Sequence, residues 1–143
     1  MPNSRPLPEA DAALPERFNH AREVQANAVM EDYVELISDL MAEFGEARIA
    51  DIAQRLGVTH PTATKAVARL KKAGLAVSRP YRGVFLTDVG AALADKVRAR
   101  HRTLVDLLIK VGVPEDVAEL DAEGMEHHVS DAALAAFRAY LAK

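Results

Sequence analysis

Near the end of the chain, the stretch DAEGMEHHVS (Asp121 to Ser130) crowds carboxylates and imidazoles together. On a helix, Glu123, Glu126 and His127 stand at i, i+3 and i+4 and span about 100° of surface, a single stripe. His128 points well away from that stripe. Carboxylate oxygen and imidazole nitrogen are hard and borderline donors, suited to divalent first-row metals. Far upstream, Asp32 and Glu35 form a second acidic pair at i and i+3, and His101 sits alone in a long helical stretch. Spacing leaves two readings open. One is a metal site assembled from these groups; the other is a set of solvated helix faces, where acidic residues ordinarily lie.

A different chemistry is available in the middle of the chain. From Arg48 to Arg102 there are twelve Lys/Arg against three Asp, although the whole chain carries a net charge of −3. A basic middle between acidic ends implies one module that faces a polyanion and another with separate work. Within it, ARIADIAQRLGVTHPTATKAVARLKKAGLAVSRPYRGVFLT predicts a short helix from about Arg48 to Leu56, broken at Gly57. Thr59 can cap the next helix and Pro61 suits its first turn. That helix ends at Gly74. Two extended runs, Leu75 to Arg79 and Val84 to Leu86, flank the turn residues Pro80-Tyr81-Arg82-Gly83. Helix, turn, helix and hairpin is the order of a winged helix-turn-helix. A recognition helix lays its first turn against base edges while its flanks hold phosphates. Here that turn offers Thr59, His60, Pro61, Thr62, Thr64 and Lys65, Arg69 extends the positive stripe with Lys71 and Lys72, and Arg79, Tyr81 and Arg82 lie on the wing. A charge run by itself is usually a solvated surface; element order, turn chemistry and charge together make this one a DNA-binding face.

The remaining elements position these groups. A helix from near Asn27 to Phe44 puts Met30, Tyr33, Val34, Ile37, Leu40, Met41 and Phe44 on one face, with Asp32, Glu35 and Asp39 opposite, and stops at Gly45. Thr87 can cap a long helix to about Val111, Pro114 opens the helix that carries EGMEHH, and Ser130 caps a last one with Leu134, Phe137 and Leu141 spaced to pack. The expected domains are a disordered or partly helical extension over residues 1–24, a winged helix-turn-helix over 25–90 and a helical half over 91–143. At this length the chain forms one domain, or two small halves sharing one core.

Composition closes several alternatives. Cysteine is absent, which removes disulfides, thiolate catalysis and Cys-ligated metals and fits a reducing cytosol. No segment has the length of a membrane span or the apolar run of a signal peptide, so the protein reads as cytoplasmic with no membrane partner. No P-loop, dinucleotide fingerprint or nucleophile elbow is present.

The blocks EDYVELISDL, DIAQRLGVTHPTATKAVARL, YRGVFLT, RHRTLVDLLIKVGV and DAEGMEHHVS occur in order over roughly residues 27 to 140. Together they resemble the manganese-sensing branch of the diphtheria toxin repressor family; any one block would be weak. The resemblance implies a mainly α protein, a winged helix-turn-helix followed by a helical dimerisation domain, without the C-terminal SH3-like domain of the iron-sensing relatives. It also implies a two-metal site built from Asp32, Glu35, His101, Glu123, Glu126 and His127. Asp32 and His127 would hold one ion, Glu35 and His101 the other, with Glu123 and Glu126 bridging and the Glu123 carbonyl contributing. Iron-sensing relatives place methionine and cysteine where this chain has Asp32 and Glu123, which favours Mn²⁺. Fe²⁺ stays open, because affinity for a fixed site rises from Mn²⁺ to Fe²⁺.

The implied function is a homodimeric regulator whose metal staples the DNA-binding half to the acidic half and sets the spacing of two recognition helices. Half-sites lie about 34 Å apart on a double-stranded operator, and the targets would be manganese-uptake genes. A di-metal carboxylate enzyme competes from another class, since such pairs also build hydrolytic and oxygen-activating centres. It lacks a nucleophile or base beyond the ligands and leaves the winged helix without a use. A winged-helix regulator answering an organic ligand is the third reading.

Overall fold

Apolar periodicity marks a helix from about Asn27, yet in the computed structural model, which describes residues 14–143, helix α1 spans Leu14–Phe44. Its first turns are almost wholly exposed, so no buried face writes a pattern there. Pro15 near the N-terminus, Glu16 in the first turn and a run of Ala, Arg, Glu and Gln favour helix by local propensity instead. The expected N-terminal extension is therefore helical from Leu14, and its earlier part lies outside the described residues. Further along α1, Tyr33, Val34, Ile37 and Leu40 are buried. Phe44, expected on that apolar face, is 59% exposed, because it falls in the last turn, beyond the core; the Arg55 guanidinium lies 5.9 Å from its ring centroid.

Helix α2 (Ile49–Leu56) and helix α3 (His60–Lys72) follow. Gly57 takes a left-handed φ of 68° between them, a conformation open to glycine without strain. Thr59 caps α3 by accepting from the Thr62 backbone N–H. Strands β1 (Ala76–Ser78) and β2 (Val84–Leu86) pair antiparallel, Ala76 opposite Leu86 and Ser78 opposite Val84. Ala47 adds an isolated bridge to Val84. A Cβ on Gly83 would meet the Ala47 carbonyl oxygen at 2.4 Å, so that close approach requires glycine.

Helix α4 (Asp88–Lys110) starts at Thr87, whose hydroxyl donates to the Gly74 carbonyl at 2.6 Å and accepts from the Gly90 N–H at 3.1 Å. At about 1.5 Å per residue, its 23 residues connect both halves. It packs on α1 at one end and, at the other, on α5 (Glu115–Met125) and α6 (Asp131–Leu141). One buried cluster joins Ile37, Leu40, Ile52, Val67 and Leu70 under the wing. A second joins Leu104, Val105, Ala118, Ala122 and Leu134. The halves thus bury separate clusters rather than one shared core, because α4 is long enough to carry an apolar face at each end. Among the described residues, no helix is long and apolar enough to cross a membrane.

Candidate metal centre and nucleic-acid interface

Three elements deliver the acidic and imidazole groups to one place. Asp32 and Glu35 project from α1, His101 from the middle of α4, and Glu123 from the last turn of α5. The α5 helix ends at Met125, so Glu126 and His127 belong to its cap and the following turn instead of a continuous helical stripe. Glu126 keeps right-handed φ and ψ, which preserves its offset from Glu123. Its side chain is fully buried, while that of Glu123 is 61% exposed. His128 is exposed.

Two groups of ligand atoms converge within 4.8 Å: Asp32, Glu126 and His127 in one, His101, Glu123 and Glu126 in the other. Glu126 belongs to both. Its Oε2 lies 2.7 Å from His101 Nδ1 and its Oε1 lies 3.5 Å from His127 Nε2. His127 Nε2 is also 2.8 Å from Asp32 Oδ1. Glu35 joins neither group, but it lines an open cleft with Asp32 and Glu123. Burial and then the Glu123 charge raise its pKa.

The electrostatics are those of a crowded acidic site. Burial pushes the Glu126 carboxyl up to about 7, with the Glu123 and Glu35 charges adding to the rise and the hydrogen bond to His101 opposing it. Asp32, and after it Glu31, favour the imidazolium of His127 and push it up to about 10 against the effect of burial. Burial alone would lower the pKa of His101, but its carboxylate partners Glu119 and Glu126 outweigh it and the net shift is upward.

Buried Glu126 Oε1 and both ring nitrogens of His127 have no aligned hydrogen-bond partner. Unpartnered buried polar atoms are costly, and these lie beside one another with their neighbours' carboxylates. A divalent cation would satisfy Glu126 Oε1 and the His127 Nε2 that lies beside Asp32 and Glu126, and the donor set of carboxylates and imidazoles fits Mn²⁺ or Fe²⁺.

Sequence reasoning passed over three neighbours of this cluster. Glu31 is buried and accepts from Arg100 Nη1 at 2.6 Å, with its other oxygen 3.7 Å from His127 Nδ1. Its place one turn before Val34 was the available signal. Glu119 lies 2.7 Å from His101 Nε2; its signal was the i, i+4 offset from Glu123. Nothing in the sequence points to Arg100, whose partner lies on another helix.

The basic face is separate. Thr59, His60, Pro61, Thr62, Thr64, Lys65 and Arg69 are all exposed along α3. Thr64 donates its hydroxyl to the His60 carbonyl at 3.0 Å. On the exposed wing, the guanidinium groups of Arg79 and Arg82 lie over Phe85 at 4.6 and 5.1 Å from the ring centroid. Tyr81 stands at the tip with φ 59°. Glu46 ties the wing down: its Oε2 accepts from the Gly83 N–H at 3.1 Å and Arg82 Nε at 3.3 Å, and its Oε1 from Arg48 Nε at 2.9 Å.

Residues 26–84 match the family model of the iron dependent repressor N-terminal DNA binding domain. Residues 87–143 match that of the iron dependent repressor metal binding and dimerisation domain. The chain is 49% identical to the transcriptional regulator MntR of Escherichia coli O6:H1 over 128 residues, covering 90% of this chain and 83% of the relative. Among solved structures it is similar to the manganese regulator SloR, with TM-score 0.69 and 27% identity over 79% of this chain and 53% of that one. It is likewise similar to a manganese-dependent transcriptional repressor in complex with manganese, with TM-score 0.68 and 31% identity over 79% and 52%. The chain spans about half the length of those two solved proteins. Identity of that extent, with both domain models matched in order, shows that the chain belongs to the MntR branch of the iron-dependent, or diphtheria toxin, repressor family.

Proposed function

We propose that this protein is a cytoplasmic, metal-responsive transcriptional regulator that binds double-stranded operator DNA as a homodimer and represses manganese-uptake genes when Mn²⁺ is abundant. The observation that carries the reading is the shared position of Glu126. It belongs to both groups of ligand atoms and lies between a helix of the DNA-binding half and a helix of the acidic half.

Asp32 and His127 would hold one ion, Glu35 and His101 the other, with Glu123 and Glu126 common to both. When bound, two divalent cations supply the positive charge that offsets the carboxylates of Asp32, Glu35, Glu123 and Glu126. Asp32 on α1 would then be joined to His127 in the α5–α6 turn by an ion in place of the imidazolium proton that draws the two together in the metal-free chain. Because α1 also packs on α3, fixing α1 fixes the recognition helix relative to α4 and the dimerisation half. A dimer ordered in this way presents its two recognition helices to half-sites without the cost of ordering loose domains on binding.

The test is titration of the metal-free chain with Mn²⁺ against a labelled operator. Binding should require Mn²⁺, disappear on chelation and return on re-addition; tight operator binding without metal would sink the proposal. Fe²⁺ is the second ion to titrate, because both matched family models describe iron-dependent repressors. The competing di-metal enzyme predicts turnover by the metal-loaded chain, whereas the regulators it resembles and its exposed basic face support a role in DNA binding without catalysis.

A further inference from the structure

His101 presents each ring nitrogen to a different carboxylate. Its Nδ1 lies 2.7 Å from Glu126 Oε2 and 3.7 Å from Glu123 Oε1. Its Nε2, on the opposite edge of the ring, lies 2.7 Å from Glu119 Oε2. Glu123 and Glu126 belong to the convergent ligand groups, and Glu119 belongs to neither. A neutral imidazole offers one lone pair, and the nitrogen that offers it is decided by where the other nitrogen's hydrogen goes. Metal-bound histidines almost always donate that hydrogen to a carboxylate, carbonyl or water.

We infer that Glu119 is the positioning residue for His101: it accepts the Nε2–H and so turns the Nδ1 lone pair toward Glu123 and Glu126. The inference rests on the two-metal reading above. Glu119 is one helical turn ahead of Glu123 on α5. Ala118 and Ala122, each one residue before these glutamates, are fully buried in the cluster that α5 shares with α4. Packing of that single helix therefore sets a ligand and its orienting group together. Glu119 is 53% exposed, so its carboxylate reaches the Nε2–H without leaving solvent. His127 has no equivalent support, since Glu31 stands 3.7 Å behind its Nδ1 and neither ring nitrogen is hydrogen-bonded. The two histidines are thus unequally held, and the loss of Glu119 should fall on the ion that uses His101.

Calorimetric titration of the metal-free full chain with Mn²⁺ tests this with Glu119→Ala, Glu119→Gln and Glu126→Ala beside the unaltered protein. In Glu119→Ala, one of two binding events should weaken by about 10- to 100-fold and the other should change less. Glu119→Gln, whose amide oxygen accepts the same N–H, should recover most of that loss. At alkaline pH, where the ion pair with His101 no longer contributes, neither variant should shift the melting temperature of the metal-free chain. Glu119→Ala titrating like the unaltered protein overturns the inference. Glu119→Gln as weak as Glu119→Ala does so too, since charge or direct ligation would then be the requirement. An equal fall in metal-free melting temperature at that pH in both variants would assign Glu119 to the fold instead. Separately, no Mn²⁺ uptake by the unaltered chain, or uptake indifferent to Glu126→Ala, overturns the two-metal reading and this inference with it.

Discussion

Glu126 is an acid with no exposed surface, set among two further acids, Asp32 and Glu123, and two histidines. Such a group weakens the metal-free fold whenever it is ionised. Its folded pKa, about 7, lies above the ordinary 4.5. The penalty is therefore absent below pH 4.5, grows between the two values and is complete above about pH 7. Glu126→Gln removes it, and the metal-free variant should gain up to the order of 3 kcal/mol, several degrees in melting temperature, at pH 8 and nothing at pH 4. The same variant should lose Mn²⁺ binding in calorimetry. Opposite signs in the two measurements mark a residue kept for its ligand at the expense of stability; a variant less stable at pH 8 would contradict this account.

Between elements, α1 is fastened to α4 by Asp39 with Arg98 at 2.5 Å and Glu31 with Arg100 at 2.6 Å. The first pair is largely solvated and contributes little. The second is buried, with side-chain exposures of 8% and 13%. Arg100→Ala would strand the Glu31 carboxylate and should cost about 3 kcal/mol in urea unfolding of the metal-free chain. The wing depends on a weaker tie. The Gly83 N–H, and then Arg48, hold the Glu46 carboxyl below its ordinary pKa of 4.5. A depressed acid stabilises above its unfolded pKa, so the tie is complete above about pH 4.5 and is lost as pH falls through the lower folded value. The Gly83 amide resonance should move in that acidic window, and in Glu46→Gln it should lose this titration.

For the molecule as a whole, the convergent carboxylate–histidine groups and the exposed basic face occupy separate surfaces joined through α1. Lys65 is exposed on α3 and belongs to neither convergent ligand group. Lys65→Ala should therefore weaken operator binding while leaving the Mn²⁺ isotherm unchanged. If Lys65 contacts a phosphate, the salt dependence of binding should fall by about one unit of slope; a base contact would instead relax specificity at one position. A loss of Mn²⁺ affinity in this variant would contradict the separation of the two surfaces.

What the sequence determined by itself is the part governed by near neighbours. Thr59, Thr87 and Ser130 cap helices because each hydroxyl reaches an N–H three residues on. Gly57 and Gly112 end elements because they take positive φ at no steric cost. These interactions close within one turn, so residue order alone reveals them, and with them the winged helix-turn-helix. The acid and histidine pairs were legible as pairs for the same reason. The exposed start of α1 was not, because it buries no face and leaves no periodic mark. The tertiary structure decided which acid is shared, that Glu119 and Glu31 stand behind the two histidines, and that Arg100 reaches Glu31. Those relations join residues up to about a hundred positions apart, from α1 to the turn after α5. Their distances depend on how α1 and α5 pack on α4, a property of two buried clusters that no local spacing encodes.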